Sequence, residues 1–293
     1  MIPQNAFTVD VEDYFQVSAF ENDIDRRQWD DWEPRVVGNT RRILAILDRH
    51  GVRATFFALG WVAERQPELI REIHDRGHEV GSHGYWHRLV YRQSPDEFRA
   101  DIRRSREVLE NILGTRVIAY RAPSFSITRQ SLWALPILVE EGFTIDSSIF
   151  PIHHDRYGVP DAPTGIRPIA TAAGSLWEFP PTVVKVAGVR IPASGGGYFR
   201  LYPLSWTLHL LARFSRTTRQ PFMFYVHPWE IDFEQPRLRV GSFVSRFRHY
   251  VNLSQTEGKL NRLLEAFHVG PIGEAILPFQ RSATITPVVQ PSA

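Results

Sequence analysis

Residues 39–82 read NTRRILAILDRHG VRATFFALG WVAERQPELIREIHDRG HEVGS, and this stretch decides the fold. Asn39–His50 reads as a helix, with Asn39 as its N-cap and Gly51 past its end. Ala54–Leu59 is a short apolar strand. Glu64–Arg76 is helical again and stops at Gly77, and His78–Ser82 is the next strand. The same alternation extends outward. Upstream, Ala6–Val11 is a strand. Downstream, Ser94-Pro95-Asp96-Glu97 is a capping box opening a helix that runs to Leu113 before Gly114. Val117–Tyr120 is a strand, Gln130–Glu141 a helix that Pro136 can kink, and Phe143–Asp146 a further strand. Repeated βα units predict an α/β protein with a parallel sheet, either open or closed as a barrel.

Pro151–Pro203 breaks this rhythm. It is rich in Pro and Gly and predicts hairpins or an insertion. Leu204–Phe214 resumes as a helix, Phe222–Val226 as a strand and Lys259–Phe267 as a last helix, while Arg281–Ala293 reads as a flexible tail. The 293 residues, 43% of them hydrophobic, suffice for one large α/β domain over 1–280, with a C-terminal extension from about 230. Net charge is +2, from 34 basic and 32 acidic residues, which suggests no nucleic-acid partner. With no cysteine, disulfides, thiolate metal sites and a cysteine nucleophile are excluded. No apolar run approaches membrane-spanning length. Met1-Ile2-Pro3-Gln4-Asn5 leads straight into a strand without a signal segment, which predicts a cytoplasmic location, with action at the inner face of the membrane allowed.

The residues with chemical potential cluster at strand ends. Asp10 and Glu12 would share one face of the first strand, and two carboxylates on one face call for a cation or a shared proton. His83 and His87 are spaced to share one side of a helical turn, and neutral imidazole is a standard metal ligand. A second pair, His74 and His78, spans Gly77 and reads as structural. Gly84 stands where a zincin needs Glu, which argues against that type of protease. Arg121 follows a strand and can clamp a carboxylate, with Pro123 fixing the backbone beyond it. His227 follows another apolar strand. In parallel α/β folds such ends converge on one rim, and together these groups form a kit for metal-assisted hydrolysis.

The ordered set Thr8-Val9-Asp10-Val11-Glu12-Asp13, His83-Gly84-Tyr85-Trp86-His87, Arg121-Ala122-Pro123, Asp146-Ser147-Ser148-Ile149-Phe150 and Val226-His227-Pro228 resembles the polysaccharide deacetylases with NodB homology. The resemblance covers roughly residues 5–230. Ser194-Gly195-Gly196-Gly197-Tyr198-Phe199-Arg200, with His227-Pro228-Trp229-Glu230, is similar to the subgroup encoded with exosortase-linked exopolysaccharide genes. The resemblance implies a distorted (β/α) barrel, one divalent metal ion, often Zn2+, and an N-acetylated glycan as partner. It implies Asp10 as general base, Arg121 as the group keeping it ionised, His227 as general acid, and His83 and His87 as metal ligands. Phe150 and Trp229 would line the acetyl or sugar pocket, and Pro123 and Ser124 would lie on the substrate, with a backbone N–H near Ser124 facing the oxyanion. Two positions depart from the family pattern. Val11 replaces a second aspartate, so the carboxylate ligand is Glu12, which alternation favours, or Asp13, which a turn directly after Val11 would favour. Gly84 replaces a Ser or Thr. An O-deacetylase would use the same residues. A silent glycan-binding protein on this fold would not need both an acid and a base.

Overall fold

The computed structural model describes residues 4–154 and 156–283. Strand β1 (Asn5–Val11) is followed by α1 (Val36–Arg49), β2 (Thr55–Ala58), α2 (Gly60–Arg65), α3 (Pro67–Asp75), β3 (Glu79–Ser82), α4 (Pro95–Leu113), β4 (Ala119–Tyr120), α5 (Ala134–Glu140) and β5 (Ile145–Asp146). Two hairpins come next, β6 (Arg167–Thr171) with β7 (Gly174–Glu178) and β8 (Val183–Val186) with β9 (Val189–Pro192). Then come α6 (Gly196–Leu201), α7 (Leu204–Thr218), β10 (Met223–Val226), α8 (Phe243–Tyr250), α9 (Leu253–Ala266), β11 (Val269–Gly270) and α10 (Ile272–Ser282).

The main sheet runs β10-β1-β2-β3-β4-β5-β7-β6, parallel throughout except for the β6–β7 hairpin, with β11 added beside the first residues of β1. The protein is therefore α/β with a mainly parallel sheet, as expected. The chain leaving β7 draws the two sides of that sheet together. Phe179 N donates to Asp146 O on the β5 side (2.8 Å), and three residues later Thr182 Oγ1 bonds both the amide and the carbonyl of Met223 in β10 (2.8 Å each). A hydroxyl thus does the work of a strand, and the barrel closes in a distorted way.

Helices cover the outer face of the sheet on a continuous apolar layer. A second cluster fills the interior, with Ala6, Phe57, Ala119, Ile145 and Met223 meeting Ile272, Ala275 and Ile276 of α10. That helix therefore packs into the barrel interior. Gly273 and Pro278 mask this helix in the sequence, and Lys259–Phe267 is not the last one. The expected tail from Arg281 begins two residues inside α10, and the rest of it from 284 lies outside the described residues.

Other boundaries shifted for local reasons. The first helix starts at Val36, because the Asp13 carboxylate reaches across to accept the Arg35 and Val36 amides (2.7 and 2.9 Å). Asn39 is no cap; its amide donates to Asp232. Pro67 divides the expected Glu64–Arg76 helix into α2 and α3. The capping box at Ser94–Glu97 forms as read.

Candidate active site

Five strand ends deliver the site. Along β1, Thr8 and Asp10 face the barrel interior, and Arg121, just beyond β4, reaches them through its own fully buried side chain (0% exposed). Its Nη1 donates to Asp10 Oδ1 (2.6 Å) and Thr8 Oγ1 (2.8 Å). Its Nη2 donates to Ser147 Oγ (3.0 Å), and the guanidinium lies 4.3 Å from the centroid of the Phe57 ring. The bonds fix the position and orientation of the Asp10 carboxylate from behind. The clamp engages Oδ1 and leaves Oδ2 directed at His227, whose Nε2 is 3.8 Å away.

The backbone of the same residue sets a second group. His83 Nδ1 lies 2.8 Å from Arg121 O. A carbonyl only accepts, so Nδ1 carries the proton and Nε2 presents its lone pair. Burial pushes the His83 imidazole down to about 4, which keeps it neutral at pH 7. His87 Nε2 stands 2.6 Å from Glu12 Oε2. The alignment is not that of a hydrogen bond: Glu12 Oε2 and His87 Nδ1 are both buried without a hydrogen-bond partner. One ligand atom each from Glu12, His83 and His87 falls within 4.8 Å of the others. Two imidazoles and a carboxylate with an orphaned oxygen fit a divalent cation. Burial would raise the Glu12 pKa, but the adjacent His87, His227 and His83 outweigh it and hold the carboxyl well below the usual range.

The two histidines do not share a helical turn, contrary to the spacing argument. They flank a loop in which Gly84 (φ 74°) and His87 (φ 51°) are left-handed. Asp101 of α4 holds this loop by accepting the Tyr85 and Trp86 amides (2.7 and 3.2 Å). A Cβ at Gly84 would come within 2.9 Å of Asp101 Oδ2, which accounts for the departure at this position. Asp13 lies outside the metal-type group. Its oxygens accept the Tyr14, Arg35 and Val36 amides.

His227 follows β10. Its Nδ1 bonds Glu230 Oε1 (2.7 Å), and Glu230 Oε2 accepts from Arg200 Nε (2.7 Å). Burial would lower the His227 pKa, but the Glu230 hydrogen bond and the charges of Glu12, Glu230 and Asp10 outweigh it and raise it to about 9. Arg200 arrives through the glycine triplet. Gly195 (φ 126°) lies against β10 so closely that a Cβ would sit 1.9 Å from Tyr225 O. The triplet is thus a backbone-contact device, in keeping with its lack of a phosphate-loop sequence. Trp229 stacks on His227 and on His249, and its Nε1 donates to Glu12 Oε1 (3.1 Å).

Residues 28–137 match the family Polysaccharide deacetylase, and residues 147–277 match a domain of unknown function, DUF3473. The first segment holds His83, His87 and Arg121, whereas Arg200, His227 and Glu230 lie in the second match, so the clustered groups straddle both. A 107-residue stretch is 36% identical to the peptidoglycan-N-acetylglucosamine deacetylase of Bacillus cereus, over 36% of this chain and 38% of that protein. The chain thus spans well under half of that relative's length. Two solved structures share the fold. One, from Mycobacterium smegmatis and assigned to the polysaccharide deacetylases, superposes with a TM-score of 0.61 at 21% identity over 98% of this chain and 94% of that one. Another so assigned, from Pseudomonas aeruginosa PAO1, gives 0.58 at 15% identity over 95% and 91%.

A cavity of about 220 Å3 opens onto Asp10, Glu12, His87, His227 and Trp229. Ser124 lies on its wall in a left-handed conformation (φ 52°) set up by Pro123. Phe150 sits one layer back, packed against the Phe125 and Tyr157 rings that form the surface. Sequence reading missed Thr8, Ser147, Arg200, Glu230 and His249 as site residues. Glu230 had a signal in its position three residues past His227; Arg200, 27 residues upstream of His227 by the numbering, had one only as the end of the Ser194–Arg200 motif.

Proposed function

We propose that the protein is a metal-dependent hydrolase of acetamido groups on N-acetylated glycans, serving exopolysaccharide biosynthesis. The carrying observation is the placement of His227 Nε2 3.8 Å from both Asp10 Oδ2 and Glu12 Oε1, which supports an acid and a base working side by side next to the candidate metal group. Glu12, His83 and His87 would hold one divalent ion, Zn2+ by its donor set. When bound, the ion would polarise the acetyl carbonyl and acidify a water. Asp10, anchored by Arg121 at Oδ1, takes the water's proton at Oδ2. His227, with its pKa raised to about 9, carries a proton at neutral pH and gives it from Nε2 to the departing amine. An amide needs that donor, because its nitrogen leaves poorly as an anion. The backing of His227 by Glu230 and Arg200 therefore favours amide over ester cleavage. Trp229 keeps Glu12 oriented and forms a wall of the cavity.

Metal analysis coupled to acetate release from N-acetylated chito-oligosaccharides tests the reading. The protein should bind one equivalent of metal and release acetate, and His83→Ala should lose both. Full metal occupancy in that variant, or release of acetate from O-acetyl sugars alone, would refute it.

A further inference from the structure

Helix α8 presents an apolar face that the fold leaves uncovered. Phe243, Val244 and Phe247 are 76%, 53% and 52% exposed, so three of the ten large hydrophobic residues exposed among the described residues fall in five consecutive positions. At 3.6 residues per turn they share a sector of about 100°. Ser245 and His249 point the other way and line the catalytic cavity. Arg246 and Arg248 fall on the two borders of the apolar sector, and Arg248 also lies on the rim of the catalytic cavity. Arg237 and Arg239, in the preceding loop, line a depression of about 600 Å3 with Phe243, Arg246, Phe247 and Tyr250. The Arg237 guanidinium lies 4.4 Å from the centroid of the Tyr250 ring. Among the described residues none of these four arginines forms an ion pair, whereas Arg76, Arg99 and Arg103 on the helical flank all do.

We propose that α8 and the 237–239 loop dock on an anionic phospholipid surface. A charged glycan strand would use the arginines but has no need of exposed phenyl rings. An apolar protein groove would use the rings and leave four cations unmatched. A membrane interface satisfies both, with the rings at the acyl boundary and the arginines extended to the phosphates. Because the opposite face of α8 borders the cavity, docking places the cavity one helix diameter, roughly 10 Å, from the membrane surface. The substrate class this implies is a glycan held at a membrane, and the surface itself stands independently of the reading of the reaction.

Vesicle flotation tests it, using phosphatidylcholine with and without phosphatidylglycerol. The full chain should float with the phosphatidylglycerol vesicles only, and rising salt should release it. Phe243→Ser with Phe247→Ser should weaken binding at least tenfold. Arg246→Gln with Arg248→Gln should weaken it roughly fivefold per charge. Circular dichroism should be unchanged in both, since Phe243, Phe247 and Arg248 are exposed and Arg246 is half-buried with no ion pair among the described residues. Failure of the wild type to float, equal binding to uncharged vesicles, or undiminished binding by both variants would overturn the proposal. So would a dimer in vesicle-free light scattering that the phenylalanine variant dissolves, since a second copy would then cover this face.

Discussion

Replacing Glu230 with Gln should move the alkaline limit of activity. Glu230 supplies His227 with a charged hydrogen-bond acceptor at 2.7 Å and is itself held ionised by Arg200 and His227 against the opposing effect of burial. A hydrogen bond to a charged group contributes about 1.5–3 kcal/mol, against about 1 for a neutral one. At 1.36 kcal/mol per pKa unit, losing the charge should lower the His227 pKa by roughly 0.5–1.5 units. The sign follows from the acid role: activity needs the proton, so its alkaline limb should shift down by that amount while the acidic limb stays put. The difference between wild type and variant survives whatever charge the Glu12–His83–His87 group carries, because Glu230 bonds the far side of the ring. Arg200 loses its ion-pair partner in the variant, so stability should drop by a few kcal/mol, and rates must be read well below the melting transition. The assay is kcat/KM for acetate release across pH 6–10. An unmoved alkaline limb in a folded, metal-loaded variant would refute the assignment of the proton to His227.

Asp10→Asn should cut turnover by several orders of magnitude yet leave metal content intact, because Asp10 is gripped by Arg121 and lies outside the metal-type group; loss of metal would contradict this. Arg121→Lys should lower stability by about 3–5 kcal/mol, since one ammonium cannot reach Asp10, Thr8 and Ser147 together, and a chemical denaturation midpoint equal to wild type would be contrary. Glu178→Gln should flatten the dependence of stability on pH. Asp146 and Glu178 pair across β5 and β7, and burial together with mutual repulsion raises the pair's proton affinity above that of ordinary carboxyls. The native state then holds a proton that the unfolded chain releases, so wild-type stability falls as pH rises from the ordinary carboxyl range through the raised value. Gln keeps a donor for Asp146 without titrating, and parallel melting curves against pH for the two proteins would count against the shared proton.

The strand ends were legible because each motif sits where an apolar run stops: Asp10 after β1, His83 after β3, Arg121 after β4, His227 after β10. The preference for Glu12 over Asp13 came from strand alternation, and the structure groups Glu12 with the histidines while Asp13 caps α1. What escaped were relations between distant segments. The pairing of Arg200 with Glu230 depends on Gly195 pressing against Tyr225, and no local pattern announces it. The loop joining His83 to His87 looked helical because a spacing of four is shared by helices and by a tight turn, and only the reach of Asp101 from α4 distinguishes them. Helix α10 was hidden by a glycine and a proline whose helical penalties are offset by burial in the barrel interior.

Arg200 has a second attachment. Its Nη1 donates to His249 O at 2.6 Å and to Val251 O at 3.2 Å, at the C-terminal end of α8. Helix α8 is thereby tethered to His227, the proposed proton donor, through three links: carbonyl to guanidinium, guanidinium to carboxylate, carboxylate to imidazole. All three links are short, at 2.6, 2.7 and 2.7 Å, so a displacement of α8 would be passed along them. A force applied at the surface would be felt as a change in how firmly His227 holds its proton. Mechanical load on α8, and not occupancy of the cavity alone, would then set the readiness of the site.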